Sequence, residues 1–248
     1  MSEFVKKRFI YQSIFLLAMA SLMPLALHAL SSKEPPGKNF NLSDWSLTLP
    51  TGSTDDPTVI TNTQLEDGFT DAYFFTNSDG SMAFEDPGTN CVTTSGSEHC
   101  RTELRELTSS GEDADWSPSG TNIMSATVVG NTMAGEVVVG QIHLEESIST
   151  KPLIELYYET DGELQAGVEQ TKAGGDEIRT TVGNVPPGTK FTYVINYSDN
   201  KLSVSINGKT TKLSIYSLGG IPCYFKAGNY GQTTSATKVS FYALTVSH

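Results

Sequence analysis

Two dipeptides constrain this chain more than anything else in it: Asp161-Gly162 and Asn207-Gly208, each set between two strand-like runs. The segments read LIELYYETDGELQAGVE at 153–169 and KLSVSINGKTTKL at 201–213. Asx-Gly pairs supply the positive backbone φ that a two-residue hairpin turn requires, and alternation with period two marks a half-buried strand. Both segments are therefore expected as antiparallel hairpins. Further strand-like runs fall at 45–49, 72–76, 101–108, 123–129, 135–144, 190–197, 222–228 and 237–246. The spacing predicts an all-β antiparallel sandwich or jelly roll. Little helical periodicity follows residue 39, and the polar, Gly-containing stretches 109–121 and 171–181 are expected as loops. With 248 residues, 38% of them hydrophobic, the chain can bury one sizeable core, and no repeat or second linker divides it.

The N-terminus reads differently. Lys6, Lys7 and Arg8 precede an apolar stretch at 14–30 that is broken by Pro24 and followed by Ser31, Ser32 and Pro35. That is the pattern of a secretory signal peptide, here 1–31, leading through a linker at 32–38 into one domain at 39–248. A membrane anchor is the alternative, and Pro24, His28 and the small residues near Ala29 and Ser31 favour cleavage. The expected location is secreted, extracellular or periplasmic, with no membrane association after cleavage. The net charge of −12 becomes −14 once Glu3, Lys6, Lys7 and Arg8 are removed. So acidic a chain is a poor nucleic-acid binder, and an acidic partner has to be held by a local basic site.

Export permits disulfides. Cys91 and Cys100 bracket VTTSGSEH, a spacing that suits a local bridge, and Cys223 is then left as a buried thiol. No CxxC, HExxH or EF-hand spacing occurs, so neither a metal nor a cofactor is expected.

Three strand-like segments hold the residues that could do chemistry. In RTELRE at 101–106, alternation puts Arg101, Glu103 and Arg105 on one face and Thr102 and Leu104 on the other. A solvated face with charged cross-strand partners gives the same pattern. In GEVVVGQIHLEE at 135–146, Val138, Gly140, Ile142 and Leu144 facing a core would leave Gln141 and His143 together on the opposite face. His143 is the best-placed histidine for acid, base or electrostatic work. In CYFKAGNYGQ at 223–232, Cys223 and Phe225 face one way and Tyr224 and Lys226 the other, with Gly228, Asn229 and Gly231 allowing a bend that presents Tyr230.

Taken in order, RTELRE, QIH and YFKAGNYGQ resemble the three signature segments of the alginate lyases of polysaccharide lyase family 7. The opening NFNLSDWSLTLPTG at 39–52, with Trp45 and the Leu49-Pro50 step, is also similar to that family's start. The resemblance spans about 39–246. It implies a β-jelly roll of two antiparallel sheets with an open concave cleft, and β-elimination at the 1,4 bonds of alginate to leave an unsaturated uronate at the new non-reducing end. Removing the C5 proton beside a carboxylate builds up charge that positioned donors must neutralise. Arg101 and Gln141 match the family positions for this. His143 matches the histidine that either helps neutralise the carboxylate or takes the C5 proton. Tyr230 matches the catalytic tyrosine, which donates to the departing O4 and, in a syn geometry, also serves as base. A tyrosine ordinarily titrates near 10, so that second role calls for nearby cations, expected from Arg105 and Lys226.

Arg105 and Lys226 are expected to bind substrate carboxylates, with Tyr224 and Gln232 as further contacts and Glu103 holding both arginines in place. The chain departs from the common YNQ ending with Tyr230-Gly231-Gln232, and the isoleucine of QIH is a residue often associated with guluronate blocks. The expected partner is alginate or a related polyuronate, bound by a monomer. Two other readings remain at this point: a lyase for another polyuronate such as glucuronan, and a non-catalytic acidic-polysaccharide-binding jelly roll. A glycoside hydrolase would need two opposed carboxylates, and Glu103 between arginines is a poor general acid.

Overall fold

The computed structural model describes residues 29–248. The expected signal segment, apart from its last residues 29–31, lies outside the described residues. Two short helices, α1 (Pro36–Asn39) and α2 (Asn62–Glu66), accompany fifteen strands: β1 (Trp45–Ser53), β2 (Asp56–Ile60), β3 (Phe74–Thr76), β4 (Met82–Asp86), β5 (Arg101–Glu106), β6 (Thr121–Met133), β7 (Val137–Leu144), β8 (Pro152–Tyr158), β9 (Glu163–Val168), β10 (Ile178–Asn184), β11 (Phe191–Ser198), β12 (Lys201–Ile206), β13 (Lys209–Leu213), β14 (Cys223–Gly231) and β15 (Thr237–Ser247). Among the described residues no helix is long and apolar enough to cross a membrane.

The strands form two antiparallel sheets. One has the order β10-β9-β8-β7-β14-β5-β1-β2 and the other β13-β12-β11-β6-β15-β4-β3. This is the two-sheet jelly roll expected, with both Asx-Gly turns closing hairpins: β8 pairs with β9, and β12 with β13, antiparallel. Asn207 adopts φ 49° and Gly208 φ 82°, the left-handed pair that this turn needs. Leu104, Ile142, Cys223 and Phe225 from the first sheet meet Met124, Tyr193, Ile195 and Phe241 from the second in one buried core. Fully burying a side chain of this size contributes about 1.5–3 kcal/mol, so the inward faces fix which residues are left on the outer, cleft face of the first sheet.

Several expectations need correction. Strands β2 and β4 were not anticipated, and the loop expected at 171–181 ends in β10. Val138 does not face the inter-sheet core; Val137 and Val139 do. The register of β7 against β8 slips between Val138 and Gly140, a bulge that adds one residue and turns Val138 outward, opposite Tyr157. Gly140 still faces the core, where a Cβ would come 2.8 Å from the Tyr193 hydroxyl. β14 runs on as a strand to Gly231, and its register against β7 slips between Ala227 and Tyr230, where the Gly-containing bend was expected. The segment 32–38 is more closely bound than a linker requires. Pro36 is buried, and Asn39 donates to the carbonyls of Ser31 (2.8 Å) and Gly80 (3.3 Å), docking the segment on the β3–β4 turn.

Candidate active site

The middle of the eight-stranded sheet is β7-β14-β5, and its cleft face carries the residues singled out above. Register sets them in rows. Gln141, Lys226 and Arg105 share one row, His143 and Tyr224 a second, and Val138, Tyr230 and Arg101 a third. Glu103 pairs with Gly228, which has no side chain to cover it.

Glu103, 1% exposed, is the hub. Lys226 Nζ lies 2.8 Å and Arg101 Nη1 3.2 Å from its Oε2, and Gln141 Nε2 donates to its Oε1. Burial alone would raise its pKa; Lys226, Arg101 and these hydrogen bonds outweigh that and hold it below the usual carboxylate range. Burial in turn pulls Lys226 down against the attraction of Glu103. Glu103 also orients the Gln141 amide with its NH2 group toward the site, so one of the two N–H bonds is left over for a ligand. Arg101 Nε is buried and has no partner among the described residues, a donor waiting for an acceptor.

The two arginines part company here. Glu103 does not hold both: Arg105 pairs instead with Asp113 (2.6 Å) from the 109–121 loop and with Glu146 (3.7 Å), its guanidinium 4.1 Å over the Tyr224 ring. The cation beside Tyr230 is Arg101, 3.9 Å from its ring centroid, rather than Arg105 or Lys226. Tyr224 is 1% exposed and stacked under His143 with centroids 5.2 Å apart, and its hydroxyl donates to Glu146. It supports His143 and Arg105 from beneath, and burial pushes its phenol up. Gln232 sits at the end of β14 with Nε2 3.4 Å from the Tyr230 carbonyl.

His143 is neutral across ordinary pH, because burial and then the Lys226 charge lower it to about 4. Its Nδ1 lies 3.1 Å from the Leu144 carbonyl. A carbonyl accepts only from N–H, so this contact places the proton on Nδ1 and leaves the Nε2 lone pair free.

Sequence reasoning missed what surrounds Tyr230. Cys91 and Cys100 are joined in a disulfide with Cα atoms 5.7 Å apart. The loop it closes brings Ser97 Oγ to 2.9 Å from Arg101 Nη2 and 3.4 Å from the Tyr230 hydroxyl, and the His99 ring to 6.4 Å from that of Tyr230. The signal was present, since Cys100 immediately precedes Arg101. Glu155 and Tyr157 on β8, with Glu177 and Arg179 at β10, also reach this face and were not foreseen. Cys223 is buried against the core as expected, and burial pushes its thiol up to about 12.

Comparison with known proteins gives the family and the fold. A family model described as alginate lyase matches residues 40–248. An alginate lyase from Klebsiella pneumoniae is 26% identical over 244 residues, covering 76% of this chain and 78% of that protein. The structure of an alginate lyase from Pseudomonas aeruginosa superposes with TM-score 0.76 at 32% identity, over 84% of this chain and 99% of its own. A substituted form of the family 7 alginate lyase A1-II', in complex with a substrate (GGMG), superposes with TM-score 0.77 at 31% identity, over 86% and 96%. On sequence and on fold together, this chain belongs to the alginate lyases of polysaccharide lyase family 7.

Proposed function

We propose that the concave sheet cleaves the 1,4 bonds of alginate by β-elimination, with Arg101, Gln141, His143 and Tyr230 acting on the substrate. The observation that carries this is the convergence of Arg101, Gln141 and Lys226 on the buried Glu103, with neutral His143 and Tyr230 on either side along the strands. A substrate carboxylate is met by the unpartnered Arg101 Nε and the spare Gln141 N–H, which neutralise charge as it develops. His143 Nε2 takes the C5 proton; the electron pair forms the C4–C5 double bond; the C4–O4 bond breaks and O4 receives the Tyr230 proton. Where the C5 proton lies on the tyrosine side, Tyr230 serves as base and Arg101 above its ring supplies the cation that role needs. Lys226 steadies the cluster, and Arg105, tied to Asp113 and Glu146, contacts carboxylates farther along the chain.

The test is ultraviolet absorbance of the unsaturated product on mannuronate-rich, guluronate-rich and mixed alginate and on glucuronan, with Tyr230→Phe alongside. A rise on alginate lost in the variant supports the assignment. A larger rise on glucuronan would overturn the substrate, and retained turnover in Tyr230→Phe would overturn the roles. We further propose export, supported by the N-terminal pattern and tested by N-terminal sequencing of protein recovered outside the cytoplasm. A monomer is proposed because one chain supplies every residue of the cluster; light scattering tests it.

A further inference from the structure

Beyond the β7-β14-β5 centre the concave face changes sign. Glu155 stands opposite Gln141 in the register. The Tyr157 hydroxyl lies 2.6 Å from Glu155 Oε2 and 3.0 Å from Glu177 Oε2. A phenol has one proton to give, so it cannot donate to both. Both contacts are satisfied only when one carboxyl keeps its proton and donates to the phenol oxygen, while the phenol donates to the other. Gly167 makes the room: a Cβ there would come 2.4 Å from the Glu177 carboxylate. Next to this chain, Arg179 binds Glu136 at 2.6 Å and Glu177 at 3.0 Å, reaches Glu159 at 3.7 Å, and lies 3.6 Å over the Tyr157 ring. Glu136 and Glu159 crowd the same Arg179 nitrogen, and two carboxyls held that close favour keeping one proton between them. Arg179 is the cation that Glu136, Glu159 and Glu177 share.

The groups bearing on Glu155 are Tyr157 on its own strand, Glu177 beside β10, and Glu103 and Arg101 on β5; Lys226 and His143 lie on the intervening strands. Burial, with repulsion from Glu177 and Glu103, raises Glu155 to about 7. The neighbouring Glu136 carboxyl and burial raise Glu159 to about 7.

We propose that the β8–β10 end of the face is a proton-loaded extension of the alginate cleft: each carboxyl pair holds one shared proton while polyuronate is bound, and release of both weakens binding of long chains without altering the elimination step. This rests on the lyase reading above. The sign follows from the chemistry: a carboxyl is neutral below its pKa and charged above it, so this end gains negative charge as pH rises and repels a polyanion.

The experiment is KM and kcat on polymeric alginate from about pH 6 to about pH 8.5 at constant ionic strength, for the wild type and for Glu155→Gln/Glu159→Gln, where a roughly threefold to tenfold wild-type rise in KM is expected. The double variant should hold KM within about twofold while kcat follows the wild type. A flat wild-type KM, or an equal rise in the variant, overturns the proposal. Should the double variant fail to fold, Tyr157→Phe keeps the ring under Arg179 and removes the bridging proton; an unshifted midpoint of its KM–pH curve overturns the proposal as well. Equilibrium binding of alginate oligosaccharides to Tyr230→Phe, against pH, reads the same electrostatics without turnover. Absence of unsaturated product from the wild type at every pH would sink the lyase reading alone, and the binding series would still decide this one.

Discussion

Glu103 and Glu155 stand on either side of Gln141 on one face of one sheet, and their surroundings drive them apart. Glu103 has Lys226 and Arg101 within 3.2 Å and is held ionised. Glu155 has a phenol and a second carboxylate, and is raised to about 7. The strand alternation is the same in both places. What differs is which neighbours the register delivers, so a single jelly-roll face holds a cationic centre and a flank that resists further negative charge.

The contrast breaks most completely at Tyr230. Tyr230→Phe keeps the ring beneath Arg101 and loses only the hydroxyl, and kcat on alginate should fall roughly a thousandfold. Retained turnover would remove the centre's claim to the chemistry. Next is Glu103→Ala, which leaves Lys226 and Arg101 facing each other in a buried space. Urea denaturation should show a loss of about 3 kcal/mol, against less than about 1 kcal/mol for Glu155→Gln; equal losses would erase the distinction between the two carboxyls. Replacing Cys91 and Cys100 by Ser should cost about 2 kcal/mol and lower kcat about tenfold by releasing Ser97 from Arg101 and Tyr230; unchanged kcat would show that this loop does not position the site. A smaller effect concerns His143. It is protonated below about 4 and neutral above, so an acid limb of kcat/KM due to His143 belongs near 4. A limb near 6.5 that disappears in His143→Asn would show that burial and the Lys226 charge do not hold His143 down. Smallest of all, Cys223 should label slowly in the native protein, since its thiol is buried and little ionised. Fast labelling would mean β14 is turned over.

The parts of the molecule legible in the sequence are those where alternation is local. Arg101, Glu103 and Arg105 share a face, and Cys223 and Phe225 oppose Tyr224 and Lys226, because the stretches 101–106 and 223–227 keep period two in regular register. The strands that escaped lack that signal: β10 and β2 each bury one residue, and β4 is buried almost throughout. Val138 was misassigned because a bulge costs one count of alternation and leaves no mark in composition. The partners of Arg105 could not be read either. Asp113 and Glu146 arrive from separate loops, and only folding decides that they, and not Glu103, close on that guanidinium.

Carried on to Gly231 in unbroken register with β5, β14 places Asn229 directly behind the cleft, between the sheets. It is fully buried, donating to the carbonyls of Phe84 and Thr237 and accepting from the Thr237 hydroxyl. The backbone that presents Tyr230 is thus fastened to β4 and β15, strands of the other sheet. A mutational library confined to those two strands should therefore yield variants with altered turnover and unaltered cleft residues, and the convex sheet becomes a handle for tuning this enzyme from behind.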